Sequence, residues 1–338
     1  MYKPTLAQDK RILQTPSMPV INQLMPFKYP WAWDFYLNAN NNHWLPLDVD
    51  MTQDIHDYVH TLTTAERHLV STVLAYLSTA DVMAMRNIGL AVMDHMGAPE
   101  LQMYQARQVY EESLHTWSYQ HCAETLRLDT TEVYNRYRTV PSLAAKIEMA
   151  QRRLTAVTST TLNFDKKEDV KTFLLSYIFF AALFEGTWFY NGFTPIFALQ
   201  RRGLMKGTAE QLQYIMRDEV LHCAFGIRVA KTIMQENDLM PDAQDIQNMW
   251  DEGRDLEKDY ANHLFSKGEL VGYDAETHLG QYEFLANRRS KQLGLPQPYP
   301  KATNTIPWLD EQANLRKEKN FFETRVTEYQ SSPIDWST

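Results

Sequence analysis

Residues 111–121 read EESLHTWSYQH, and residues 217–222 read RDEVLH. Each stretch holds a Glu-x-x-His: Glu112 with His115, and Glu219 with His222. Three residues is close to one helical turn, so in a helix both side chains of a pair leave from one face. Upstream of each pair stands a lone acid in an apolar setting. Asp81 precedes Glu112 by 31 residues, and Glu185 precedes Glu219 by 34. The chain therefore offers one set twice: a carboxylate on one segment and a Glu-x-x-His on the next.

Around these residues the apolar positions recur at i, i+3, i+4 and i+7, which predicts four long helices. The first starts at Thr63, where Thr63 and Glu66 form a capping box, and its apolar face runs Val70, Leu74, Leu77, Asp81 and Ile88. The second begins after Pro99 and aligns Leu101, Glu112, His115, Tyr119, Cys122 and Leu126. The third begins near Asp169 and aligns Leu174, Tyr177, Ala181, Glu185, Phe189 and Phe193. The fourth starts at Thr208, with Gln211 completing a second capping box, and aligns Leu212, Ile215, Glu219, His222, Val229 and Ile233. Lesser helices are expected at about 142–157 and 242–266, and short helical pieces among the aromatics of 31–61. The fold class is all-α, a helical bundle with added helices. Residues 31–310 form its domain, and residues 1–30 are an extended N-terminal arm. Four prolines within 290–310 end the folded body, and the charged, then polar, stretch 311–338 is a flexible C-terminal tail.

All six motif residues lie on otherwise apolar stripes. A buried carboxylate costs on the order of several kcal/mol unless it is paired or binds a metal. Four of them converging would repel one another, and two divalent cations resolve this. Carboxylate-rich ligation with one His per ion suits iron or manganese better than structural zinc. A single Glu-x-x-His is commonplace in helices, where acid and imidazole are simply solvated or satisfied; two copies at matched distance from upstream buried acids are not. Glu111 could reach His115 at i+4, but the i+3 spacing of the second copy favours Glu112. Tyr119, one turn beyond His115, would ordinarily be a core tyrosine. Beside a dinuclear oxidant it is a candidate for one-electron oxidation. Phe189, Phe193 and Ile215 would pack the core and also form an apolar shell around such a radical.

The bulk composition narrows the classes. Of 338 residues, 44% are hydrophobic and 22% charged, which is ordinary globular composition. A net charge of −9 disfavours nucleic-acid binding. Two cysteines, Cys122 and Cys223, make no disulfide framework and fit a reducing cytoplasm. The N-terminus has no apolar signal core. The most apolar run, 173-FLLSYIFFAALF-184, is too short to cross a membrane and reads as a core helix. No GxxxxGK[ST] phosphate loop is present.

The doubled set resembles that of ferritin-like dimetal carboxylate bundles. More specifically, the chain resembles the radical-generating small (beta) subunit of class I ribonucleotide reductases. EESLHTWSYQH is similar to that family's ExxHxxxY element and RDEVLH to its second ExxH with a preceding Asp. NNHWLPLDVDM (41–51) resembles its tryptophan element and KNFFETRVTEYQ (319–330) its C-terminal region. The resemblance covers roughly residues 30–330. It implies Asp81, Glu112 and His115 as ligands of one metal, and Glu185, Glu219 and His222 as ligands of the other. It implies Tyr119 as the radical site and a relay of Trp44, Asp218 and His115, with Tyr329 as the mobile relay residue of the tail. Otherwise Trp44 would be a core anchor, Asp218 an exposed acid paired with Arg217, and Tyr329 a tail aromatic.

The resemblance further implies a ribonucleoside-diphosphate reductase small subunit. An oxygen species activates its dinuclear centre, and the oxidising equivalent passes to a cysteine of a separate large subunit that reduces the ribose 2′ position. The expected metals are an iron pair, with manganese–iron or manganese pairs as alternatives, and an activating flavoprotein where manganese is used. A homodimer is expected. The alternatives are a ferritin-like dimetal oxidase or monooxygenase acting on an organic substrate, which would need a substrate cavity and no tail relay, and an iron-storage bundle, which would usually be a shorter chain.

Overall fold

The computed structural model describes residues 12–13, 29–158 and 162–309. The chain divides into two units, Met1–Thr305 and Ile306–Thr338. Of the second, only residues 306–309 are described, with a helical turn at 307–309. The proposed tail 311–338, Tyr329 and most of the N-terminal arm lie outside the described residues.

Among the described residues the first unit is built of helices, with two isolated β-bridges and no strand. In order they are α1 (Pro30–Asn40), α2 (Thr52–His56), α3 (Thr64–Asn87), α4 (Pro99–Thr125), α5 (Thr130–Thr139), α6 (Pro141–Thr158) and α7 (Lys167–Ile178). A π-helical segment, Phe179–Phe189, joins α7 to α8 (Tyr190–Arg201); then come α9 (Lys206–Asn237), α10 (Ala243–Leu264) and α11 (Ala275–Leu293). The four bundle helices are α3, α4, the continuous α7–π–α8 stretch, and α9. Helix α3 packs on α4, and α9 packs on the π segment. There the backbones approach closely: a Cβ on Gly226 of α9 would stand 2.3 Å from that of Ala181, so only glycine fits.

The first expected cap is present. Thr63 Oγ1 accepts from Glu66 N–H at 3.2 Å, and Glu66 Oε2 accepts from Thr63 N–H at 2.7 Å. The second is not. Helix α9 starts two residues before Thr208, after Met205 in the left-handed region. Its orphan N–H groups are capped from another element. The Asp54 carboxylate of α2 accepts from Gly207 N–H (2.9 Å), Thr208 N–H (2.5 Å) and Thr208 Oγ1 (2.7 Å). An acid at a helix N-terminus meets unpaired donors and the positive end of the dipole. Gln211 is thereby free to donate to Pro46 O at 2.7 Å and to accept from Ser118 at 2.8 Å.

Two further expectations need correction. The third helix is not regular α throughout. Across Phe179–Phe189 the bonds close on the fifth residue, so a step of four no longer completes a turn, and Phe189 is not simply one turn beyond Glu185. The connection 127–168 holds two helices, α5 and α6, not one, and α11 was not anticipated. The apolar run 173–184 is also part of a longer helical stretch. Thr64–His95 and Lys167–Arg201 are long and apolar enough to cross a membrane, but 72% and 89% of their most apolar windows are buried inside the protein. They are core helices of the bundle.

Candidate metal centre

Asp81 comes from α3, Glu112 and His115 from α4, Glu185 from the π segment, and Glu219 and His222 from α9. All six side chains are fully buried or nearly so. They form two groups whose potential ligand atoms lie within 4.8 Å of one another: Asp81, Glu112 and His115; and Glu112, Glu185, Glu219 and His222. Glu112 belongs to both groups. Its Oε1 is 3.2 Å from His222 Nδ1 and its Oε2 is 3.6 Å from His115 Nδ1. Glu219 spans the same pair from the opposite helix, with Oε1 3.3 Å from His115 Nδ1 and Oε2 3.4 Å from His222 Nδ1. Asp81 Oδ2 is 3.8 Å from His115 Nδ1. Glu185 accepts from Gln108 Nε2 through one oxygen at 2.8 Å.

The remaining atoms test whether cations fit. Both oxygens of Asp81, Glu112 and Glu219, one oxygen of Glu185, and Nδ1 of both histidines are buried without a hydrogen-bond partner. Such a set is costly as it stands, yet it is the donor set that a pair of oxygen- and imidazole-binding cations requires. Both Nδ1 atoms face these carboxylates, so Asp81, Glu112, His115, Glu185, Glu219 and His222 are the residues that would hold such a pair.

The electrostatics carry the same message. Burial, and then Glu112, push Asp81 well above the usual carboxylate range; burial, and then Glu219, do so for Glu185. Burial also acts on Glu112, but the His115 and His222 rings beside it hold it down at about 2. Burial would strip the proton from both histidines. The acids around them instead raise His115 (Asp218, Glu112, Glu219) and His222 (Glu219, Glu111, Glu112) well above the usual imidazole range. These opposed shifts come from acids and imidazoles crowded together without counter-ions, and metal binding would displace any protons held there.

The outer contacts form a mirrored pair. Asp218 Oδ2 faces His115 Nε2 at 3.4 Å and accepts from Trp44 Nε1 at 2.9 Å. Asp218 is 1% exposed, which excludes a solvated acid; Arg217 stands 3.9 Å from its other oxygen. Glu111, the acid passed over in favour of Glu112, accepts from His222 Nε2 at 2.8 Å. Each acid immediately before a Glu-x-x-His glutamate reaches across to the other helix's histidine. The signal was present as a repeated acidic pair, Glu111-Glu112 and Asp218-Glu219.

Tyr119 is fully buried on α4. Burial, and then the charge of Asp81, keep its phenol proton on well above the ordinary range. Its hydroxyl lies toward Asp81 without a formed hydrogen bond. Trp44 stacks on Tyr214 with ring centroids 5.4 Å apart and lies 6.3 Å from the His115 ring. Phe189, Phe193 and Ile215 are fully buried; Phe189 packs on Phe184 at 4.9 Å and Phe193 on Phe197 at 6.4 Å.

Comparison with known proteins agrees with this geometry. The family model described as "Ribonucleotide reductase, small chain" matches residues 21–307. The ribonucleoside-diphosphate reductase subunit beta of Chlamydia pneumoniae is 35% identical over 319 residues, covering 92% of this chain and 91% of that protein. The small subunit of Dictyostelium discoideum is 29% identical, covering 92% and 87%. Among solved structures, the ribonucleotide reductase R2 subunit from Clostridium botulinum shares the fold with a TM-score of 0.77 at 22% identity, covering 89% of this chain and 93% of that one. The dimanganese(II) NrdF of Streptococcus sanguinis shares it with a TM-score of 0.67 at 18% identity, covering 84% and 94%. A bundle that buries two carboxylate–histidine groups around a shared glutamate, and a family match across most of its length, place this chain among the small chains of ribonucleotide reductase.

Proposed function

We propose that this small chain stores its oxidising equivalent on Tyr119 and hands it to the large subunit through Asp218 and Trp44. Small chains of this family are oxidoreductase subunits that bind a dinuclear metal centre, form dimers and work with a large catalytic subunit. The observation that carries the reading is the pair of overlapping ligand groups joined at Glu112, with unpartnered donors directed inward. Bound metal ions, activated by an oxygen species, would supply a one-electron oxidant beside Tyr119.

The protein's own groups do the rest. Glu112 and Glu219 each approach both histidines, while Asp218 fixes the ring orientation that leaves His115 Nδ1 for a cation. Asp81 has unpartnered oxygens on the side of the Tyr119 hydroxyl and can take the phenol proton as the electron leaves. Trp44 donates its indole N–H to Asp218, so a proton acceptor is in place when that ring is oxidised. Phe189, Phe193 and Ile215 exclude water from the bundle interior and form the radical pocket.

An iron pair is the proposed metal content, with manganese–iron or manganese pairs as the other options and an activating flavoprotein in the manganese case. The proposed location is the cytoplasm. Residues 31–310 are the proposed metal-binding domain, with 1–30 as an arm and 311–338 as the tail that docks on the large subunit and carries Tyr329. Low-temperature EPR with metal analysis, on protein from its native host, tests the assignment. The expected result is a phenoxyl signal that Tyr119→Phe abolishes. A coupled mixed-valent manganese signal that survives the substitution would sink it.

A further inference from the structure

His115 and His222 are equivalent by motif but not by surroundings. The relay accounts for the groups behind His115 and leaves those behind His222 unused. We propose that Glu111 and Arg107 form a second positioning arm, which aims His222 at one cation and ties that cation's site to the Trp44 segment. This rests on the dimetal reading above.

Glu111 is fully buried, and its two oxygens serve two partners. Oε2 accepts from His222 Nε2 at 2.8 Å, and Oε1 accepts from Arg107 Nε at 2.9 Å. A carboxylate can only accept here, so the His222 proton sits on Nε2 and the Nδ1 lone pair is left for the ion. The corresponding contact on His115 is longer, 3.4 Å, because the same Asp218 oxygen also serves Trp44. His222 is thus the more firmly held of the two rings.

Arg107 has a role beyond charge balance. Its side chain is only 11% exposed and lies over the Tyr110 ring at 4.8 Å. Its Nη2 donates to the backbone oxygen of Asn42 at 2.9 Å, two residues before Trp44. One branch of the guanidinium fork therefore grips the acid behind His222, and the other grips the segment carrying the relay indole. The contacts close a ring: His115, Asp218, Trp44, the 42–44 backbone, Arg107, Glu111, His222. A surface Arg–Glu pair would contribute little. This one has a fully buried acid, so losing Arg107 leaves one oxygen of a buried carboxylate without its guanidinium partner.

The test is anaerobic titration of the metal-free full-length chain with Mn(II), counting free ion by EPR, for the wild type, Glu111→Gln, Glu111→Asp and Arg107→Met. The wild type is expected to bind two ions per chain. In Glu111→Gln one ion should bind as before and the other about 10–100-fold more weakly, with partial recovery in Glu111→Asp. Arg107→Met should weaken the same ion to a smaller degree. It should also speed hydrogen exchange of the amides at 41–45, which a merely local packing change at α4 would not do. Glu111→Gln binding both ions like the wild type would overturn the proposal while leaving the dimetal reading intact. Unchanged exchange at 41–45 in Arg107→Met would overturn the link to Trp44. A wild type that binds no pair of ions would sink the dimetal reading, and this proposal with it.

Discussion

Tyr119 has a buried hydroxyl with no formed hydrogen bond, an arrangement that stability alone would select against. Tyr119→Phe removes that group without stranding a partner. The metal-free variant is expected to unfold within about 1 kcal/mol of the wild type, or slightly higher, in thermal or urea melts, while the radical signal is lost. Asp218→Asn should behave in the opposite way. It retains the shape but weakens the acceptor behind His115, so one ion should bind about 10–100-fold more weakly by metal titration. At this scale the sequence was informative about which acids and imidazoles meet and less so about what holds them. The spacing of Glu112 to His115 and of Glu219 to His222 is local and survives in any helix. That Glu111 serves His222 depends on α4 and α9 facing each other, which no spacing within α4 encodes.

Elements are joined here by acids acting at a distance in sequence. Asp54 of α2 takes three hydrogen bonds from the first turn of α9, and Asp54→Ala is expected to cost about 1–3 kcal/mol in urea unfolding. The box expected from Thr208 and Gln211 had the right residue types but the wrong partner, because tertiary capping outcompeted the local one. Thr63 had no such competitor and caps as read. A second junction joins four helices. Lys146 of α6 is fully buried, with Nζ 2.6 Å from Glu257 of α10 and over the rings of Tyr76, Trp188 and Tyr260 at 3.9, 4.6 and 4.5 Å. The other Glu257 oxygen accepts from Asn191 of α8 at 2.6 Å and from His278 of α11 at 2.8 Å. Since the carboxylate takes the Nε2 proton, His278 Nδ1 accepts from Tyr273 at 2.5 Å. Burial works against the charge on Glu257, but Lys146 and His278 hold its carboxyl at about 2, below the ordinary 4.5. A depressed acid stabilises the fold above 4.5 and loses that contribution as pH falls toward 2. The stability gap between wild type and Glu257→Gln should therefore shrink across that window, as read by urea midpoints. Lys146→Met leaves Glu257 buried and uncompensated, and a loss of about 3–5 kcal/mol is expected, largely restored in Lys146→Met/Glu257→Leu. Neither partner was singled out from sequence, since 111 residues separate them and no periodicity connects α6 with α10.

At the level of the whole molecule, the repeated set is what makes the bundle legible in the sequence. Four acids on apolar stripes had to meet, and α3, α4, α9 and the stretch around Glu185 are arranged so that they do. The division of labour with a large subunit makes a prediction at the same scale. Truncation after residue 318 should leave two-ion binding by the chain unchanged and abolish turnover with the large subunit; full turnover by the shortened chain would remove the proposed role of the tail and Tyr329. What composition could not indicate is the wider turn at Phe179–Phe189, because closing hydrogen bonds on the fifth residue is decided by packing rather than by residue type. Its effect reaches the ligands. Glu185 stands on this wider turn, whereas Asp81, its counterpart, sits on an ordinary α-helix. Of the two lone acids, then, one is carried by tightly wound backbone and the other by a loosened coil, so the halves of the doubled set present their carboxylates from unlike stretches of chain.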